Sequence, residues 1–116
     1  MEVCKLNSYV PGLWIDDIRT PHPYFWYKGD QVAWHWVKDV DAAKYYIERA
    51  EKDNIPFAII SIDHDAGEFG PPDYIKVLDW LEETGRNYPI RIHSMNPVGV
   101  ANMRAIIERN GWKEVK

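Results

Sequence analysis

One cysteine in 116 residues, Cys4, excludes an internal disulfide framework and any zinc cluster built on thiolates. No apolar run approaches the roughly 20 residues that a bilayer-spanning helix needs, and residues 1–9 carry no signal-peptide core, so a soluble, cytoplasmic domain with no membrane partner is expected. An excess of basic charge is also missing: 14 Lys and Arg stand against 18 Asp and Glu, a net charge of −4. Such a chain does not coat an extended nucleic acid, although it can carry a small pocket for one phosphate. Repeats, low-complexity stretches and linkers are absent too, and the length suits a single domain over residues 1–116. What remains is a chain with 46% apolar residues, enough for one core, and an unusual load of six Trp and seven Tyr.

Hydrophobic periodicity alternates along the chain. Residues 13–15 read as a short apolar strand stopped by Asp16 and Asp17, and residues 32–37 as a second β-prone run. Asp39 then suits an N-cap, with Val40, Ala43, Ile47 and Ala50 on one helical face. The run 57–62 is continuously apolar, as expected of a central parallel strand. A Gly- and Pro-rich loop over 66–72 precedes a helix that starts near Asp73, buries Tyr74, Val77, Leu78 and Leu81, and ends at Gly85. Residues 89–93 read as a fourth strand. Asn96 caps a helix with Pro97 at its first position, Gly111 closes it, and residues 112–115 suit a fifth strand. Strands separated by helices predict right-handed crossovers and a parallel sheet, an α/β fold in three layers. Only the connection from Asp16 to Gln31 lacks a helical pattern; it carries Pro21, Pro23, Tyr24, Phe25, Trp26 and Tyr27 instead.

In open parallel sheets ligands bind beyond the carboxyl ends of the strands. The first strand here ends at Asp16 and Asp17 with Arg19 behind them, the central one at Asp63, His64 and Asp65, and the fourth at His93 and Ser94, followed by Asn96. The topology therefore gathers four carboxylates, two imidazoles and an arginine on one edge. Carboxylates so crowded repel one another unless a cation lies between them, and an oxygen-rich set suits Mg²⁺ or Mn²⁺. Arg19 suits an anion clamp, the amides after Asn96 offer a helix N-terminus, and Ser94 reads as a phosphate-binding hydroxyl, since no nucleophile elbow surrounds it. The aromatic run 24–27, Trp26 in particular, suits stacking of a base or sugar, whereas Trp34 and Trp36 read as core filler and His22 and His35 as structural.

An acidic pair after the first strand, an Asp ending the third and a hydroxyl ending the fourth resemble the receiver domain of response regulators; here these are Asp16 and Asp17, Asp63 and Ser94. The strings LWIDDIRTP (13–21), ISIDHDAG (60–67) and IHSMNPVG (92–99) resemble more specifically the divergent cyclic-phosphate-processing receivers, over nearly the whole chain. The resemblance implies a receiver-like (flavodoxin-like) sheet of about five strands in the order 2-1-3-4-5, here with the first and last helices missing. It also implies a phosphoesterase role toward cyclic phosphate ends or cyclic nucleotides. The Lys-Pro pair that follows the last receiver strand has no counterpart in these residues, and histidines beside the acidic pocket threaten a long-lived phospho-aspartate.

The expected function is accordingly a metal-dependent phosphoesterase acting on a 2′,3′-cyclic phosphate, of a nucleotide or an RNA end, or on a related cyclic nucleotide phosphodiester. Asp16, Asp17 and Asp63 would hold Mg²⁺ or Mn²⁺, His64 and His93 would serve as general base and acid, and Arg19 would stabilise charge developing on phosphorus. Asp65 either orients a histidine or reaches the metal, and Asp63 is either a ligand or a nucleophile. Two rivals stand beside this: a degenerate stand-alone receiver phosphorylated on Asp63, and a module that binds a cyclic nucleotide without turnover.

Overall fold

Strand periodicity puts Leu13 and Ile15 on one side of a sheet and Trp14 on the other, and the two sides of the molecule are built differently as a result. The computed structural model describes residues 9–64 and 73–116. Strands β1 (Tyr9–Ile15), β2 (Trp26–Tyr27), β3 (Asp30–Val37), β4 (Ile59–Ile62) and β5 (Ile90–Ile92) form one sheet in the order β2-β3-β1-β4-β5. β1 pairs in parallel with β3 and β4, and β4 with β5, so the parallel strands follow the expected receiver-like order. The short β2 is antiparallel to β3 and forms the edge. Of the strand expected over 112–115, a single parallel bridge from Glu114 to Ile90 forms.

Helices α1 (Val40–Lys52), α2 (Ile75–Glu83) and α3 (Pro97–Asn110) begin and end for identifiable reasons. The Asp39 side chain accepts a 2.7 Å bond from Ala42 N, capping α1. Asn96 Oδ1 accepts from Gly99 N at 3.0 Å, Pro97 occupies the first turn of α3, and Gly111 ends it at φ 68°. α2 begins at Ile75 rather than near Asp73: Tyr74 precedes it without a side-chain cap, its ring buried and its hydroxyl donating to Lys38 O.

All three helices lie on one face of the sheet. Ala43 and Ile47 of α1, Val77, Leu78 and Leu81 of α2, and Met103 and Ile107 of α3 pack with Leu13, Ile15, Ile60, Ile62 and Ile90 in one core. Each Val, Leu, Ile or Met side chain among them that is removed from water contributes about 1.5–3 kcal/mol. The opposite face carries a smaller cluster of Tyr27, Val32 and Ile59, against which Val10, Phe25, Trp34 and Val115 pack. As expected from the missing first helix, the third layer is not helical among the described residues: the β1–β3 connection covers this face, and Pro21 and Pro23 within it cannot sustain a helical ladder. Gly12 fits here because a Cβ would lie 2.5 Å from Val32 and 2.7 Å from the Trp34 ring. Ion pairs tie the helical layer together: Arg86 of the α2–β5 loop grips Glu51 of α1, and Arg109 of α3 grips Glu82 of α2. No helix among the described residues is long and apolar enough to cross a membrane.

Candidate functional site

The four parallel strands end level with one another. Ile15 is in register with Val37 and with Ile62, and Ile62 with Ile92. Pairing then continues one residue further: Asp16 N donates to Val37 O, Asp63 N to Ile15 O and His93 N to Ile62 O, at 3.0–3.1 Å. Asp16, Asp63 and His93 are therefore fixed by sheet hydrogen bonds rather than by loop conformation.

Oxygen atoms of Asp16, Asp17 and Asp63 all lie within 4.8 Å of one another. All three residues are buried, at 1%, 9% and 8% exposure. Asp16 Oδ1 accepts from Ile18 N and Arg19 N, at 2.9 and 3.1 Å. Asp63 Oδ1 accepts from His64 N at 2.8 Å, and the nearby Ser94 side chain favours its charged form. Burial raises the Asp63 pKa, and the Asp16 charge adds to the rise. Asp17 accepts no hydrogen bond and forms no ion pair among the described residues. The Arg19 guanidinium spans the cluster, 3.7 Å from Asp16 and 3.6 Å from Asp63, and donates to His93 O at 2.9 Å.

One step behind the edge, a row of residues crosses the sheet on the face away from the helices. Trp36, Trp14, Ser61 and Arg91 are register partners on β3, β1, β4 and β5. Trp36 Nε1 donates to Asp16 O at 2.7 Å, and Trp14 Nε1 to Arg19 O at 2.8 Å. The Trp14 indole stacks on the His93 ring with centroids 4.0 Å apart and planes 10° from parallel. His93 is bonded at both nitrogens, Nε2 to Asp16 Oδ2 at 3.0 Å and Nδ1 to Ser61 Oγ at 2.8 Å. Its side chain is 7% exposed, and burial pushes its pKa down to about 4 despite the neighbouring Asp16, which favours the charged form.

The structure thus brings together Asp16, Asp17, Asp63, Arg19, His93 and Ser94. Ser94 Oγ also accepts from Asn96 N, which sets the first turn of α3 beside the cluster. His64, half-buried, packs its ring against Gly99 in that turn. Asp65 lies outside the described residues, as does the loop 66–72. Trp26 is not brought to the site. Lys28 and Gly29, both at positive φ, make a two-residue turn that folds β2 back along β3, so Trp26 pairs with Gln31. Gln31 is six positions from Val37 in the register, which puts Trp26 about 20 Å from the carboxylate edge. His22 and His35 are exposed and away from the cluster, His22 Nδ1 accepting from Tyr24 N and His35 packing on Tyr46.

Ser61, Arg91 and Trp14 are absent from the sequence-derived site, and Trp36 is there only as filler. Ser61 had a visible signal, the lone polar residue in an apolar strand; so did Arg91, a charge in mid-strand. Trp36 is 36% exposed, with the Lys38 ammonium 4.9 Å above its ring, and is the aromatic surface that lies beside the carboxylates. A family model described as cyclic-phosphate processing receiver domain matches residues 12–109. No curated protein matches the chain.

Proposed function

The chain belongs to the cyclic-phosphate processing receiver domain family, and on that premise we propose that it is a phosphoesterase, dependent on Mg²⁺ or Mn²⁺, that opens a 2′,3′-cyclic phosphate or a related cyclic nucleotide phosphodiester. The observation that carries this reading is the convergence of three carboxylates at the strand ends, those of Asp16, Asp17 and Asp63, with oxygens within 4.8 Å of one another. Carboxylates held this close repel one another unless something cationic lies between them. Three carboxylates and one guanidinium sum formally to −2, which a divalent cation balances, and hard oxygen donors suit Mg²⁺ or Mn²⁺. When bound, such an ion neutralises charge on phosphoryl oxygens.

The chain's own residues supply the rest. Arg19, already held at its backbone and by His93 O, turns further N–H groups toward a phosphate. Ser94 and the amides of the first turn of α3 bind anionic oxygen from the other side. Opening the ring takes a proton from the attacking water and gives one to the departing ring oxygen, and His64 is the imidazole at the rim for that exchange. Trp36 offers a face for the base.

Incubation with a panel of cyclic and linear nucleotides, with and without Mg²⁺ or Mn²⁺ and read by mass, tests the proposal. Addition of one water to a cyclic phosphate only in the presence of metal is the expected result. Tight, chelator-insensitive binding with no product identifies a binding module instead. The place of Asp63 at the end of β4, inside the carboxylate cluster, favours a second reading, phosphoryl acceptance by Asp63, which transfer from acetyl phosphate without turnover of any cyclic substrate would support.

A further inference from the structure

Ser61 is fully buried, and a buried hydroxyl is costly unless bonded. Its Oγ lies 2.8 Å from His93 Nδ1 and 3.3 Å from Arg91 Nη1. A guanidinium only donates, so Ser61 receives from Arg91, and its own proton is available to His93 Nδ1. At the other end, an ionised Asp16 only accepts, so the hydrogen of the imidazole sits on Nε2. For a neutral imidazole the directions admit one consistent chain, Arg91 to Ser61 to His93 to Asp16. It spans two neighbouring strands and ends on a carboxylate of the cluster. Trp14 fixes the plane of the ring by stacking, and Arg91 is itself held over the Phe25 ring at 5.0 Å.

We propose, on the premise that Asp16, Asp17 and Asp63 hold a divalent cation, that Ser61 and Arg91 are positioning residues: through His93 they fix the tautomer that aims Nε2–H at Asp16 Oδ2, and so hold that carboxylate in place for the ion. Residues of this kind orient a ligand without touching the metal. His93 thereby acts on Asp16, and its proton is committed to that bond rather than exchanged with substrate. Ser61 is then kept for its hydroxyl and not merely for its small size.

The test uses the full chain, unmutated and as Ser61→Ala, Arg91→Met and Arg91→Lys, with two readouts. Mn²⁺ affinity is measured by titration, and the protonated nitrogen of His93 by ¹⁵N NMR. Ser61→Ala, which keeps the packing volume nearly intact, is expected to weaken Mn²⁺ binding by about 10–100-fold and to release the Nε2–H preference. Arg91→Met weakens binding less, and Arg91→Lys, which retains a cationic donor, least. Unchanged Mn²⁺ affinity in Ser61→Ala overturns the proposal, whatever the tautomer does. If the unmutated protein binds no Mn²⁺, the cation premise is what fails. The NMR readout then decides the relay alone: an unmoved proton in Ser61→Ala overturns it, and a moved one supports it as the anchor of Asp16. Should Ser61→Ala not fold, Arg91→Met carries both readouts.

Discussion

The ring of His64 fills the space that a side chain at residue 99 would need: a Cβ built on Gly99 lies 2.3 Å from His64 Cγ and 2.6 Å from Nδ1. Gly99 in the first turn of α3 and His64 at the end of β4 are therefore matched, and the helix can approach the carboxylate edge only while residue 99 has no side chain. Gly99→Ala must turn the imidazole away or push the helix back. If the ring turns, cyclic-phosphate turnover falls by roughly 10²–10⁴-fold with the fold retained, the usual yield of general acid–base catalysis. If the helix yields, stability falls by about 1–3 kcal/mol. Thermal melting and turnover measured on the same variant separate the two, and a Gly99→Ala protein normal in both shows that His64 and residue 99 do not constrain each other.

Divalent cations are expected to raise the melting temperature. An ion bound only by the native state at 100 times its Kd adds about 2.7 kcal/mol. Asp17→Asn removes one of the three crowded carboxylates and should abolish most of that gain while raising metal-free stability by relieving repulsion. A melting temperature of the unmutated protein indifferent to Mg²⁺ and Mn²⁺ would count against a cation at the cluster.

Asp63 has a carboxyl pKa raised by burial and by Asp16, so it binds its proton more tightly folded than unfolded. The sign follows directly: the fold is favoured while Asp63 is protonated and loses stability as pH rises through the raised pKa. In chelator at neutral pH, Asp63→Asn should melt higher than the unmutated protein, because Asn Oδ1 still accepts from His64 N without the charge. The gap should close as pH falls. Melting curves between pH 4 and 8 check this, and an Asp63→Asn protein less stable throughout would refute it.

The opposite sign holds at Glu51. Arg86 and the Tyr88 hydroxyl bond its carboxylate and lower its pKa. This stabilisation is complete above the unfolded carboxyl pKa of about 4.3 and is lost as pH falls through the lowered folded value. Glu51→Gln should cost about 1–2 kcal/mol at pH 7, discounted for partial exposure, and should flatten the acid limb of the stability profile. An acid limb unchanged by the substitution would remove Glu51 from the account.

Trp36 and Trp26 make a matched pair of probes. Trp36→Ala should weaken nucleotide binding by about 1–3 kcal/mol, as loss of a stacking surface does, while Trp26→Ala, at the far end of the sheet, leaves affinity unchanged. Isothermal titration with a non-hydrolysable cyclic nucleotide analogue decides. The reverse ranking would mean that the ligand lies away from the carboxylates.

Much of this was legible in the sequence because strand ends and helix caps are local signals. Two carboxylates directly after an apolar run, Asp63 after another, and Asn96 with Pro97 needed only the rule that parallel strands share an edge. The site's floor was less legible. Ser61 and Arg91 acquire meaning only from cross-strand register, which seats them beside Trp14 and beneath His93, and no single strand encodes that. Trp26 was misplaced for a related reason: an aromatic run gives no direction, and the turn at Lys28 and Gly29 sent it to the other end of β3. The missing first helix was legible because Pro21 and Pro23 forbid a helical ladder, and the connection that carries them covers the sheet face instead.

Asp16 and His93, bonded across the edge, stand 77 residues apart in the chain. No short segment can pre-form that bond, so the chain must close about two thirds of its length before the site exists, and contacts of such separation tend to be made late in folding. A ligand that needs the finished edge stabilises the native state without stabilising the transition state. Its effect should appear almost entirely as slower unfolding, with the refolding rate untouched.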